Sequence, residues 1–343
     1  MLAILKARAE AESLEVRDLP TPRPASGEVL VKMGAAGICY SDVMILKNKY
    51  KGRVPVPVPM IMGHEGAGVV AAIGEGVAGV KEGDRVGLMP AWGCGQCHHC
   101  IDGHSNMCQQ WRHLGITRDG TFAEYRAVPS FVACKLPDGI SMQDAAVLEP
   151  ITLAVRTLEH VKPQLGDTVA IIGPGSIGLL HLQAFKSAGA SIVIVIGLDQ
   201  DAARLEIAKR LGADYVVNGS REDVVRRVRE LTGGLGCDIV VETANHPSTA
   251  GLAIELASAY GRVMLFGLYP EASISPLSLM RSGLSVMGDV ATTPRWYQRA
   301  IRWVQYRKVL AEPLITRKFG LDQAKSAFEA FSEGQSVKVL FEM

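Results

Sequence analysis

No run of this chain is apolar for long enough to cross a bilayer. The most hydrophobic stretch, SIVIVIGL (191–198), falls far short of the roughly 20 residues that a spanning helix needs. The N-terminus, MLAILKARAE, interrupts its short apolar start with Lys6 and Arg8 and makes a poor signal peptide. An excess of one charge is also lacking. The 36 basic and 35 acidic residues leave +1, which argues against nucleic acid or an anionic membrane as a partner. Repeats, low-complexity tracts and disordered linkers are absent from the sequence. Cysteine is sparse and odd in number, 7 in 343 residues, which does not fit a secreted disulfide scaffold. A cytoplasmic, enzyme-sized protein with room for roughly two domains is the expectation.

The grammar of the chain changes once. Up to about residue 150, short apolar runs such as GEVLVKM (27–33) and EGAGVVAAIG (65–74) are bounded by Gly and Pro, as short strands are, and KEGDRVGLMP (81–90) reads as turn then strand. RVPVPVPM (53–60), with proline at alternate positions, must be an extended surface loop. Then TVAIIGPGSIGLLHLQAFKSAGASIVIVIGLD (168–199) reads as strand, glycine turn, helix and strand. The segments 203–218, 221–231, 237–244, 253–261 and 262–268 continue the alternation of helix and strand. Such βα repetition gives a doubly wound parallel sheet, and the fold class is α/β. Past about 285 the pattern turns irregular and the chain is expected to return to the first domain. There PRWYQRAIRWVQYRK (294–308) places Trp296, Ala300, Trp303 and Val304 at helical spacing.

IIGPGSIG carries G-x-G-x-x-G at Gly173, Gly175 and Gly178, between a strand and a helix, the context that gives the pattern meaning. Gly173 permits the tight turn, Gly175 lets the backbone approach a pyrophosphate, and Gly178 lets the helix pack on the strand. Ser176 and Ile177 open the helix whose free N–H groups face the anion. A carboxylate at the end of the second strand would hold the 2′-hydroxyl of NAD. Gly197 stands nineteen residues after Gly178, a feature that accompanies NADP, whereas Asp199 follows closely and no arginine occupies 198–203, Arg204 coming next. The balance favours NAD.

GICYSD (37–42), GHEGAG (63–68) and AVLEP (146–150) supply Cys39, His64, Glu65 and Glu149, donors that suit zinc. In a reducing compartment the cysteines of CGQCHHCIDGHSNMC, Cys94, Cys97, Cys100 and Cys108, read as a metal site rather than disulfides. With MGHEGAGVV, GDRVGLMP, GITRDGTFAEY, VLEPITLAV and ITRKFGLDQAKSAFEAF, these motifs resemble, in order and over essentially the whole length, the zinc-containing medium-chain alcohol and polyol dehydrogenases.

That resemblance implies a GroES-like catalytic domain (1–150 and 286–343) and a Rossmann dinucleotide-binding domain (151–285). It implies two zinc ions per chain: a structural one held by the four clustered thiolates, and a catalytic one at Cys39 and His64 with Glu65 and Glu149, either of which is the direct ligand. His98, His99 and His104, inside the cysteine loop, receive no role. Ser41 matches the hydroxyl that relays the substrate proton, and Asp42 a partner that orients His64. Met44 departs from relatives with a histidine there, so protons would leave through the cofactor ribose and water. The reaction implied is hydride transfer between a secondary alcohol or polyol and NAD(P), giving the ketone. A primary alcohol or a threonine-like amino alcohol is the alternative, and a non-enzymatic redox sensor a lesser one. Tyr40, Pro90, Trp92 and Trp111 are candidate pocket residues, and relatives imply a homotetramer acting on a small molecule.

Overall fold

The computed structural model describes residues 1–334 and 336–343, which separate into two compact units. One comprises Met1–Thr152, Ala291–Arg307 and Ile315–Met343; the other comprises Leu153–Val290 and Lys308–Leu314. The second unit therefore runs past residue 285 and also takes a short return segment that composition does not announce. Side-chain bonds to main chain explain that segment: Gln183 donates to the Leu310 carbonyl (3.0 Å) and accepts from its N–H (2.8 Å), and the Ser187 hydroxyl donates to the Lys308 carbonyl (2.7 Å).

In the first unit the strand Glu28–Gly37 organises a seven-stranded sheet. Along one edge it pairs antiparallel with Glu65–Ile73. Its other edge is shared, Tyr125–Pro129 pairing with its first half and Lys338–Glu342 with its end. Alternation gives each face a core. Val29, Val31 and Met33 pack with Val70, Val86 and Leu88, whereas Ala36 and Ile38 join Phe122, Val339 and Phe341. The proline-rich run stays without helix or strand until Met60, and most of it is exposed. The helix Pro294–Gln305 forms with Pro294 in its first turn and Thr293 as its cap. Its buried face is Trp296, Tyr297, Ala300 and Ile301; Trp303 and Val304, expected on that face, are only half-buried.

The second unit is a six-stranded parallel sheet. Its strands, in chain order, are Thr168–Ile172, Ile192–Gly197, Tyr215–Asn218, Cys237–Glu242, Ala257–Leu265 and Ser285–Gly288, and they lie side by side in the order third, second, first, fourth, fifth, sixth. The order reverses between the first and fourth strands, the place where doubly wound sheets bind dinucleotides. One boundary differs from the alternation read in the sequence. The helix is Pro247–Leu256, and AIELASAYG is already strand from Ala257. Tyr260 at φ 59° and a register shift between Cys237 and Ile239 absorb extra residues there, so the strand begins before the hydrophobic pattern resumes at Arg262. Among the described residues no helix is long and apolar enough to cross a membrane.

Candidate metal centres and dinucleotide site

Cys39 caps the helix Tyr40–Leu46 directly after the central strand, while His64 and Glu65 lead into the neighbouring strand, where Glu65 pairs with Gly37. Strand register thus brings together residues 25 and 26 positions apart, and one donor atom from each of Cys39, His64 and Glu65 lies within 4.8 Å of the others. Asp42 fixes two of them. Its Oδ2 accepts the Cys39 N–H at 2.9 Å, and its Oδ1 stands 3.4 Å from His64 Nδ1, an ion-pair distance with no well-formed hydrogen bond. Burial works against a charge on His64, yet Asp42 and Cys39 outweigh it and raise its pKa well above the ordinary value. A site that draws positive charge onto a buried imidazole, with Nε2 turned from Asp42 toward Ser41 Oγ (3.5 Å), fits a cation ligated by thiolate and imidazole.

Glu65 has a partner that motif reading missed. Both of its carboxylate oxygens are 2.7 Å from Lys338 Nζ, which also donates to the Ile38 carbonyl at 3.2 Å; Glu65 and Lys338 are both almost wholly buried. Burial pushes the Glu65 carboxyl up, and Lys338 pulls against it; Glu65 in turn holds the Lys338 ammonium above its ordinary value despite burial. A Cβ on Gly37 would collide with Glu65 Oε2, so a larger residue here would have to displace the carboxylate that Lys338 engages. Glu149, in the first turn of Leu148–Val161, is buried and its charge adds to the rise at Glu65, but it stands outside the three-donor group.

Aromatic residues surround this group. The His113 ring lies 5.4 Å from His64 and 5.0 Å from Trp111, centroid to centroid. Burial, then the neighbouring His64, pushes His113 down to about 3. It is neutral, and its Nδ1–H donates to the Leu114 carbonyl at 2.6 Å. Of the expected pocket residues, Trp111 lies here and Tyr40 is exposed. Trp92 instead packs in the sheet core edge-on to Phe131, and the Pro90 carbonyl accepts the Leu114 N–H.

The sulfur atoms of Cys94, Cys97, Cys100 and Cys108 also lie within 4.8 Å of one another. The N–H groups of Gln96 and Cys97 hold the Cys94 thiol down, to about 6, and those of Cys94 and Gln110 point at Cys108 Sγ from 3.3 Å. Convergent thiols with N–H donors aimed at sulfur suit a four-thiolate zinc, which offers no open position. Cys100→Ser is expected to lower the melting midpoint by about 5 °C or more while sparing turnover in the cold. Metal content and calorimetry check this; an unchanged midpoint with one zinc equivalent lost would rule out a stabilising role.

The glycine turn fits a dinucleotide. Gly173 has φ 101°, and a Cβ there would meet the Ala244 backbone at 2.8 Å; a Cβ on Gly178 would sit 2.0 Å from the Gly173 carbonyl. A Cβ on Gly175 meets nothing within 4 Å, so bare backbone there faces open space at the N-cap of the helix Ser176–Ser187. Asp199 is exposed past the second strand, accepting from Asn218 Nδ2 at 2.8 Å and Arg221 Nε at 2.6 Å, which hold its carboxyl below the usual range. Arg204 stands 3.2 Å from Asp201, so the arginine beside Asp199 is Arg221. Gly197 also has a packing reason: a Cβ there would press on Pro174 at 3.0 Å and Leu205 at 3.1 Å.

Comparison with known proteins agrees with this geometry. Residues 25–138 match the alcohol dehydrogenase GroES-like domain and residues 176–306 the zinc-binding dehydrogenase domain. The chain is 37% identical to an L-threonine 3-dehydrogenase of Pyrococcus abyssi, over 99% of this chain and 98% of the relative. It is 32% identical to a sorbitol dehydrogenase of Halalkalibacterium halodurans, with the same coverage. A solved structure from Escherichia coli CFT073, described as a short chain alcohol dehydrogenase complexed with NADH, superimposes with a TM-score of 0.91. It is 33% identical, over 100% of this chain and 99% of that one.

Proposed function

The chain belongs to the zinc-containing medium-chain alcohol and polyol dehydrogenases, and on that premise we propose that it oxidises a secondary alcohol or polyol to the ketone with NAD, using one catalytic and one structural zinc. The observation that carries this reading is the Cys39, His64 and Glu65 group with Asp42 behind two of its members. Bound there, zinc supplies a Lewis acid that acidifies the alcohol, and the nicotinamide supplies the hydride acceptor. The protein's own residues do the rest. Asp42 fixes the Cys39 backbone and faces the His64 ring, so both donors are in place before substrate arrives. Ser41, on the same helix and mostly buried, takes the alcohol proton at Oγ. Met44, on that helix, cannot pass a proton on, so the hydroxyl proton that Ser41 gives up would have to leave through the cofactor ribose and water. Lys338 engages both oxygens of Glu65, which supports Glu65 as a charge-balancing group that would sit beside the metal rather than hold it permanently.

NAD is favoured because Asp199 offers a carboxylate where the ribose hydroxyls are expected, even though Arg221 partly answers its charge. The deciding experiment is steady-state oxidation of polyols, diols and secondary alcohols by zinc-replete enzyme, with NAD and with NADP. Turnover with NAD is the expected result, and Asp199→Ser should cost at least about tenfold in kcat/KM with NAD and less with NADP. Silence across the panel, or an Asp199→Ser enzyme that keeps its cofactor ratio, would refute the corresponding part.

A further inference from the structure

The fourth strand of the parallel sheet ends on a carboxylate that takes no part in the metal centres or the glycine turn. Glu242 is wholly buried, and among the described residues no Lys, Arg or His stands within ion-pair distance of it. Neutral donors from two separate loops satisfy it instead. In the loop that follows it, the N–H groups of Ala244 and Asn245 donate to Oε1 at 2.8 and 3.2 Å. The Thr249 hydroxyl, 2.8 Å from the same oxygen, divides its proton between Oε1 and the His246 carbonyl. In the loop after the fifth strand, the Gly267 N–H and the Tyr269 hydroxyl donate to Oε2 at 3.0 and 3.1 Å. Burial, then the charge of Glu242, pushes the Tyr269 hydroxyl up, so it keeps its proton for this bond. Each oxygen serves one loop. A buried carboxylate is tolerated only while its acceptor positions are filled, so the loops cannot part without stranding it.

The same two loops are tied to the glycine turn. Glu242 pairs with Ile172 of the first strand, across the point where the strand order reverses. The Thr243 hydroxyl lies 2.9 Å from the carbonyls of both Ile172 and Gly173. In the other loop, the Leu268 N–H donates to the Asn245 side chain, and the Phe266 ring lies 5.0 Å from the Arg156 guanidinium. That ring also stands edge-on to His181, 5.0 Å away on the helix Ser176–Ser187. A dinucleotide spans the carboxyl ends of the strands on both sides of such a reversal. Asp199, past the second strand, marks the adenosine side, which leaves the nicotinamide half to the fourth, fifth and sixth strands. The loops leaving the fourth and fifth of these are the ones that Glu242 joins.

We propose that Glu242 is a positioning residue for the nicotinamide half of the cofactor: its two oxygens lock the loops after the fourth and fifth strands into the arrangement that receives the nicotinamide. It acts through the loops and touches neither cofactor nor substrate. The inference goes beyond the alcohol reading and rests on dinucleotide binding alone. Loops fixed in advance spare the cofactor the cost of ordering them. Glutamine cannot do the same. It offers one acceptor oxygen where two stood, and its NH2 faces the donors of whichever loop loses, so only one loop stays held.

The test titrates zinc-loaded enzyme calorimetrically with NADH and with ADP-ribose, which has both riboses and the pyrophosphate but no nicotinamide. Glu242→Gln should weaken NADH by about tenfold or more and ADP-ribose by less than about twofold. Tyr269→Phe keeps the carboxylate and deletes one donor, and should weaken NADH alone, by about threefold. The melting midpoint is the folding control, and if Glu242→Gln does not fold, Tyr269→Phe decides the matter by itself. Equal losses for the two ligands would make Glu242 a buttress of the whole nucleotide unit and overturn the proposal. So would unchanged affinities beside a lowered midpoint. A selective loss of NADH in an enzyme that oxidises no alcohol keeps the positioning role and sinks the alcohol reading instead. Wild-type protein that binds neither ligand would sink both.

Discussion

Cys39→Ala is expected to release one of two zinc equivalents per chain and to lower kcat/KM by at least about a thousandfold, roughly 4 kcal/mol of transition-state stabilisation. The fold should survive. Cys39 is only partly buried, it lies just past a strand whose pairing is main-chain, and the Asp42 carboxylate that accepts its N–H remains in place. The second zinc should remain, because the four cysteines expected to hold it form a separate group. Mass spectrometry under non-denaturing conditions and a progress curve with the best alcohol read both quantities in one sample. Retention of two zincs, or of turnover within tenfold of wild type, would show that Cys39 is not a ligand of the catalytic metal.

How much of this was readable in advance depended on sequence distance. The thiolates span fifteen residues, from Cys94 to Cys108, and the glycine turn six, from Gly173 to Gly178, so spacing alone exposed them. Gly175 shows why the motif works, since bare backbone opens into free space at the helix N-terminus there, while Gly173 and Gly178 are forced by backbone contacts. Pairings made by the sheet stayed hidden. Lys338 sits in the apolar run SVKVLFEM, which shows that a cation is out of place but not that Glu65, 273 residues earlier, is its counter-ion. Arg221 was missed for the same reason: it meets Asp199 only because the second and third strands lie side by side, and Arg204, nearer in sequence, is turned to Asp201. Trp92 drew notice for its neighbours in the chain, yet its side chain packs into the sheet core, edge-on to Phe131.

Lys338→Met should destabilise the protein by about 3–5 kcal/mol, because it leaves the Glu65 carboxylate buried with its cation gone. The neighbouring Glu149 makes this worse, since its charge already opposes ionisation of Glu65. The pH dependence has a definite sign. With Lys338 beside it, the Glu65 carboxyl is already raised by burial, and losing the cation raises it further. The folded variant therefore holds a proton that the unfolded chain gives up, and its stability falls as pH rises from the ordinary carboxyl range through that raised value. Acidification should shrink the penalty. Adding Glu65→Gln to Lys338→Met removes the uncompensated charge and should recover most of the lost stability, giving a coupling energy of a few kcal/mol in the double-mutant cycle. Additive single effects would mean that the two groups are not paired in solution. Recovery of stability without recovery of kcat would separate the two roles: the pair would hold the sheet together, and the charge on Glu65 would balance the metal.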